Sequence, residues 1–296
     1  MRSSRRILPA TLFLLLLVPL AAAQESRPTD PHAEWDDVLT RHVRGGRVDY
    51  LLVRRDEAGR LDRYLEHLAR VDHRALPRSE RMALYINAYN ATVVREVARR
   101  IKAAYSVASD DFALFDEKVV RLKEGRLSLN ELEHRIVRPI GDPRIHAALV
   151  CAARSCPPLI PRAYRAADLD RVLDANVRRW LNDPALNRVD ATGKRLFLSR
   201  IFEWYAVDFG GKDGIGSWVD RYLKGDVAGF EVGFLDYDWR LNVAAPASGE
   251  WVVDKKTKEI FQVVARKGET LQLVQIAGTT PRSAPRGAFV PFAIGE

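Results

Sequence analysis

Both cysteines of this 296-residue chain fall inside one stretch, Ser128 to Leu159, which reads SLNELEHRIVRPIGDPRIHAALVCAARSCPPL. No other feature limits the fold as strongly. Cys151 and Cys156, five positions apart, either close a tight bridge or leave two thiols close to His134 and His146. A disulfide is geometrically possible at that spacing and persists in an oxidising compartment. A free Cys151 is either a small core hydrophobe or a thiolate nucleophile. The residues alone leave these readings open.

Local signals give the stretch a shape. Ser128 followed by Glu131 is a capping box, so a helix is predicted from about Leu129 to Val137 or Arg138, where Pro139 ends it. Glu131 and His134 share a face at i,i+3, and Glu133 lies on the opposite side. After the Gly141-Asp142-Pro143 turn, Ile145 to Ala152 is a short apolar run that reads as a mostly buried strand, with a buried helix as the alternative. On either element, residues five apart face different ways, which sets His146 apart from Cys151. His134, on a separate element, is therefore the expected base for a Cys151 thiolate, with Glu131, Glu133, Asn87 or Asp208 to orient it.

The flanking sequence divides the chain. Residues 1–23 read as a secretory signal, with Arg2, Arg5 and Arg6 before an apolar run and Ala21-Ala22-Ala23 as a cleavage site. The expected location is periplasmic or extracellular, and the apolar core is short for a membrane span. Residues 24–34 read as a disordered leader, 35–242 as the main domain, 243–249 as a linker and 250–296 as a small β module. Ser79 to Lys102 is the longest helical stretch, and on it Asn87 and Asn90 share a face. Carboxamides on an apolar helix need partners, and pinning a neighbouring loop is the preferred reading of both. Arg188 to Phe197 reads as a hairpin. Leu198 to Phe209 brings Trp204, Tyr205 and Asp208 close together. The expected architecture is α+β: a helix-rich main domain with a mixed or antiparallel sheet, then an SH3-like or barrel-like all-β module.

Charge excludes one class of partner. The formal charge is +8, and removing the three arginines of 1–23 leaves +5. Without a run of five like charges or a recognised motif, this describes a mixed solvated surface rather than a nucleic-acid groove. Four β-like runs after residue 250 carry Arg266, Lys267, Arg282 and Arg286, which read first as a solvated surface and alternatively as a site for a protein partner or an anionic polymer.

Six blocks carry a resemblance. They are Gly46-Arg47-Val48-Asp49-Tyr50, Tyr85 to Ala91, Leu132-Glu133-His134, His146 to Cys151 with Ser155-Cys156-Pro157-Pro158, Ile201 to Tyr205 with Asp208-Phe209, and Tyr237 to Asn242. In this order they resemble the domain-of-unknown-function 547 (DUF547) family, over nearly all of Trp35 to Asn242. The resemblance implies no established activity. It marks His146, Asn90, Ser155, Cys156, Trp204 and Tyr205 as candidate binding residues beside the catalytic set of Cys151, His134, Glu133, Glu131, Asn87 and Asp208.

Two functions follow from different classes. One is a thiol-dependent hydrolase or acyl transferase on amide or thioester substrates. The other is a non-catalytic envelope binding or scaffold module with a structural Cys151–Cys156 disulfide. The ligand expected in either case is a small molecule, a peptide or an envelope polymer. No cofactor is expected. A metal site of His134, His146, Cys151 and a glutamate has the right ligand types but lacks a short paired spacing.

Overall fold

The main domain is built around the Arg78–Arg100 helix, which is buried on nearly every face from Met82 to Ala98. A helix apolar all round must be enclosed. The Ala58–Leu68 helix packs on it and on the Ala33–His42 helix, where Trp35 stacks on Tyr64 with ring centroids 6.3 Å apart. The computed structural model describes residues 30–102, 105–244, 250–257, 259–275 and 282–291. The expected signal at 1–23, most of the leader, and positions 245–249 of the expected linker lie outside them.

The cysteine stretch starts as its cap dictates. Ser128 Oγ accepts from the Glu131 amide at 3.1 Å, and the Glu131 carboxylate accepts from the Ser128 amide at 2.9 Å. The plain helix expected beyond it is not what forms. One α turn, Leu129–Glu131, widens into a π-helix over Leu132–Val137 and tightens to a 3-10 turn over Arg138–Ile140, through Pro139. In this arrangement Glu133 is buried and His134 is exposed.

The strand expected over Ile145 to Ala152 is also absent. A 3-10 turn runs Pro143–Ala147, and the chain then continues without regular structure to Ala152, which sits at φ 67°. The physical reason is the Asn90 side chain. Its amide donates to the Ala148 carbonyl at 2.8 Å, and its oxygen accepts from the Val150 amide at 2.9 Å. A carboxamide thus supplies what a neighbouring strand would supply, and buried backbone groups need such partners. Asn87, one turn earlier, does the same for the amide and carbonyl of Tyr164, at 2.9 and 2.8 Å.

Segments far apart in sequence close around this stretch. The Ala152 carbonyl accepts from the Asn242 amide at 2.8 Å, and the Arg240 carbonyl accepts from the Arg154 amide at 2.8 Å. Tyr50 donates to Asn242 Oδ1 at 2.6 Å, and Val48 donates to the Asn242 carbonyl. The hairpin before Tyr50 turns at Gly45 and Gly46, both at positive φ. At Gly46 glycine is required twice over, since a Cβ there would lie 2.3 Å from Pro158 Cβ.

A second core joins the Leu169–Leu181 helix, the Gly214–Asp220 helix and a three-stranded sheet. The predicted hairpin is present as Arg188–Asp190 and Arg195–Leu198, and Glu231–Phe234 pairs with the second strand in parallel, so this sheet is mixed. Trp180 stacks on Phe202 at 4.7 Å inside this core, which also takes in Ala147 at the end of the 3-10 turn.

The C-terminal part is β as expected. Strands Glu250–Asp254, Ile260–Lys267, Thr270–Gln275 and Arg282–Pro285 form a meander, and Phe289–Pro291 returns after a 3-10 turn to pair with the first of them. That is an SH3-like strand order. Trp251, Val253 and Ile260 pack into the main core, and Arg55 hydrogen-bonds to Gln262. No helix among the described residues is long and apolar enough to cross a membrane.

The Asn90 contacts predict a specific cost. Asn90→Ala strands one buried amide and one buried carbonyl, so urea unfolding should show a loss of about 2–4 kcal/mol. A loss below about 1 kcal/mol would show that the segment holds itself.

Candidate functional site

The Pro143–Ala147 turn presents His146. Its start is fixed by Asp142, whose carboxylate accepts from the Arg144 amide at 3.0 Å. His146 is buried, and its Nε2 lies 2.7 Å from Asp208 Oδ2. Asp208 sits on the Ala206–Phe209 3-10 turn, which Gly210 ends at φ 90°. Arg138 grips the same carboxylate in a bidentate pair, Nε to Oδ2 at 2.7 Å and Nη2 to Oδ1 at 2.8 Å. Burial alone would raise the Asp208 pKa, but hydrogen bonds from His146 and Arg138 outweigh it and hold the carboxyl well below the usual carboxylate range. An ionised Asp208 makes His146 Nε2–H the donor and leaves a lone pair on Nδ1 of the neutral ring.

His146 forms one wall of a cavity of about 340 Å³. The Tyr205 ring packs against the imidazole with centroids 4.2 Å apart, and the Arg138 guanidinium lies 5.0 Å from the Tyr205 ring centre. Trp204, Tyr237 and Trp239 make an aromatic cluster on another side, with Tyr237 and Trp239 centroids 4.4 Å apart. Phe112, at φ 62°, meets Trp239 edge-on at 4.7 Å.

Glu133 is the carboxylate of this cavity. It comes from the π-helical stretch, is buried, and lines the cavity with Tyr89 and Tyr205, whose phenols feel its charge. Burial first, and then the Glu133 charge, push both phenols well up, so both stay protonated and donate. The same two causes raise Tyr237.

The cysteines line the cavity as a disulfide between Cys151 and Cys156. The Cys151 amide donates to Cys156 Sγ at 2.9 Å. The Tyr237 phenol donates to both sulfurs, at 3.2 and 3.4 Å.

The structure sorts the candidate residues. It brings Cys151, Cys156, His146, Glu133, Trp204 and Tyr205 to one cavity, with Asp208 behind His146. It sets His134 outside: this ring is exposed, accepts from Arg138 Nη1 at 3.1 Å, and does not line the cavity. Glu131 caps its helix and pairs with Lys118 and Arg135 at the surface. Asn87 and Asn90 clamp backbone. Ser155 Oγ accepts from the Asp238 amide at 2.8 Å and so latches two segments. Among the described residues, no three His, Cys, Asp or Glu side chains form a metal-holding group.

The carboxylate-held histidine is thus His146 and not His134. Facing arguments for residues five apart hold only on a regular helix or strand, and the chain from Ala148 to Cys151 is neither. Residues that motif reading passed over are Tyr89, Tyr237, Trp239 and Arg138. The first three lie inside the YINAYNA and YDWRLN blocks, where the aromatics themselves are the signal. Nothing local marks Arg138, whose partner is 70 positions away.

Residues 73–181 match a family model described as "Protein of unknown function, DUF547". The match includes Tyr89, Glu133, His146, Cys151 and Cys156. Among curated proteins and among solved structures, nothing matches significantly.

The half-buried, paired charge at Asp208 makes stability depend on pH. An unfolded aspartate ionises near pH 3.9. With the folded pKa lowered, its contribution is complete above that value and is lost as pH falls below it. The melting-temperature gap between the wild type and Asp208→Asn should therefore be widest at pH 6–7 and shrink below about pH 4. An equal gap at pH 6 and pH 3 would show that the charge is not what matters.

Proposed function

Residues 73–181 belong to the DUF547 family, whose description assigns no activity, and from the site itself we propose a thiol-dependent hydrolase or acyl transferase acting on amide or thioester substrates. Cys151 is the nucleophile and His146 its base. The observation that carries this reading is the His146–Asp208 hydrogen bond of 2.7 Å, which orients an imidazole in the cavity that Cys151 lines. A base held by a third group is the arrangement nucleophilic catalysis needs.

The bridged form is the resting state. A dithiol reductant cleaves the S–S bond by exchange, leaving two protein thiols and an oxidised reductant. His146 Nδ1 then takes the Cys151 proton, and the thiolate sulfur attacks the acyl carbon. The leaving amine or thiol departs with the proton from His146. Water or another acceptor then attacks the acyl-enzyme, His146 again acting as base, and regenerates the thiol. Tyr237, whose phenol already reaches both sulfurs, is a donor for the oxyanion that forms beside Cys151.

A second reading is favoured by the bridge itself. A closed Cys151–Cys156 disulfide in an aromatic-walled cavity also suits a binding module that performs no chemistry. Both readings place the protein outside the cytoplasm, where such a bridge persists.

Alkylation separates the two. In the reading proposed here, iodoacetamide labels nothing without reductant. After mild dithiol reduction at pH 7 it should label Cys151 about tenfold faster than Cys156, because the imidazole lowers the thiol pKa from about 8.5. His146→Ala should abolish the difference, and His134→Ala should leave it intact. Equal, slow labelling of both thiols that ignores His146→Ala would leave the binding module as the function.

A further inference from the structure

Among the described residues, no lysine or arginine lines the cavity that His146 and Glu133 share. Among the described residues its one carboxylate is Glu133, which is 6 % exposed and shares the lining with three tyrosines, Tyr89, Tyr205 and Tyr237. Among the described residues it forms no ion pair. Arg138 feels the Glu133 charge, but its guanidinium is committed to both oxygens of Asp208. A buried carboxylate is costly to hold unless a positive charge completes it.

The surrounding walls suit a positive charge of a particular kind. Tyr89, Tyr205, Tyr237, Trp204 and Trp239 all line the same cavity as Glu133. Ring faces carry negative quadrupole potential and attract a cation, most strongly once water is excluded. Trp204 at the rim is 46 % exposed, large for an aromatic residue, and so remains open to an incoming group. An apolar ligand would use the rings but leave Glu133 without a charge partner, and an anion would be repelled by it.

We propose that this cavity takes a ligand bearing an organic ammonium group, whose charge sits between the aromatic rings and is completed by Glu133. The proposal rests on the reading of this cavity as the substrate site and names the substrate class: acyl compounds with an ammonium group within a few bonds of the scissile carbonyl. The carboxylate gives charge selectivity, and the rings exclude strongly hydrated metal cations in favour of alkylated ones.

The test uses the full-length oxidised protein without reductant, so Cys151 chemistry plays no part. Calorimetric titration with n-butylammonium chloride is compared with n-butanol, at ionic strength fixed by sodium chloride. Saturable ammonium binding at least tenfold tighter than that of butanol is expected. Glu133→Gln should remove the preference for the cation, and Trp204→Ala, at the exposed rim and therefore safe for folding, should weaken ammonium binding severalfold. Equal affinity for butanol and butylammonium, absence of saturable binding, or cation binding indifferent to both variants would overturn the proposal. Failure here leaves the thiol-labelling result standing, and failed labelling leaves a cation-binding cavity standing, so the two readings fall separately.

Discussion

One carboxamide holds the site together. The segment from Ala148 to Ala152 is buried yet belongs to neither a helix nor a strand, and a buried backbone of that kind must find its partners elsewhere. Asn90 provides them from the middle of a rigid, enclosed helix. It thereby fixes the path of the chain between His146 and Cys151. Asn87, a turn earlier on the same helix, holds the loop at Tyr164 in the same way. A helix interior is a precise mounting, since its residues are immobilised by packing on all sides. Two loops with no regular structure of their own therefore acquire fixed positions, and one of them carries Cys151 into the cavity.

The charges near the cavity are divided between two separate tasks. Asp208 is saturated, with Arg138 on both oxygens and His146 on one, so it serves to hold an imidazole rather than to meet a ligand. Glu133 forms no ion pair among the described residues and lines a chamber of rings. Tyr205 belongs to both arrangements, its ring near Arg138 and His146 and its phenol raised by the Glu133 charge. Through it, the position of the held histidine and the shape of the binding chamber are coupled.

What the sequence made legible was local. The Ser128–Glu131 cap, the long helix from Arg78, the hairpin at Arg188 and the β texture beyond residue 250 each rest on neighbours a few positions away, and each is present. The pinning role of Asn87 and Asn90 was legible too, because an amide on an apolar face must bond to something. The irregular path at Ala148 was not, since Asn90, 58 positions away, holds it, and neither was the π-helical widening at Leu132–Val137. Periodicity therefore points to His134, while His146 is the histidine that meets Asp208 and lines the cavity. Glu133, read as lying on the opposite side of its helix from His134, does so, but that side faces the cavity rather than solvent.

The last part of the chain also has a role in time. Trp251, Val253 and Ile260 sit in the same core as Trp35, Tyr50 and Val53, and Tyr50 is further tied to Asn242. During synthesis the chain lengthens by only about 5–20 residues per second, so the N-terminal helices wait on the order of ten seconds or more for these partners to emerge. Until then the part of the core that Trp251, Val253 and Ile260 complete is unfilled. Contacts that span so much sequence also close slowly, because the intervening chain must be ordered before they are rewarded. This core is therefore completed from its far end, and a nascent chain that stops short of residue 250 lacks the Trp251, Val253 and Ile260 side chains that close it.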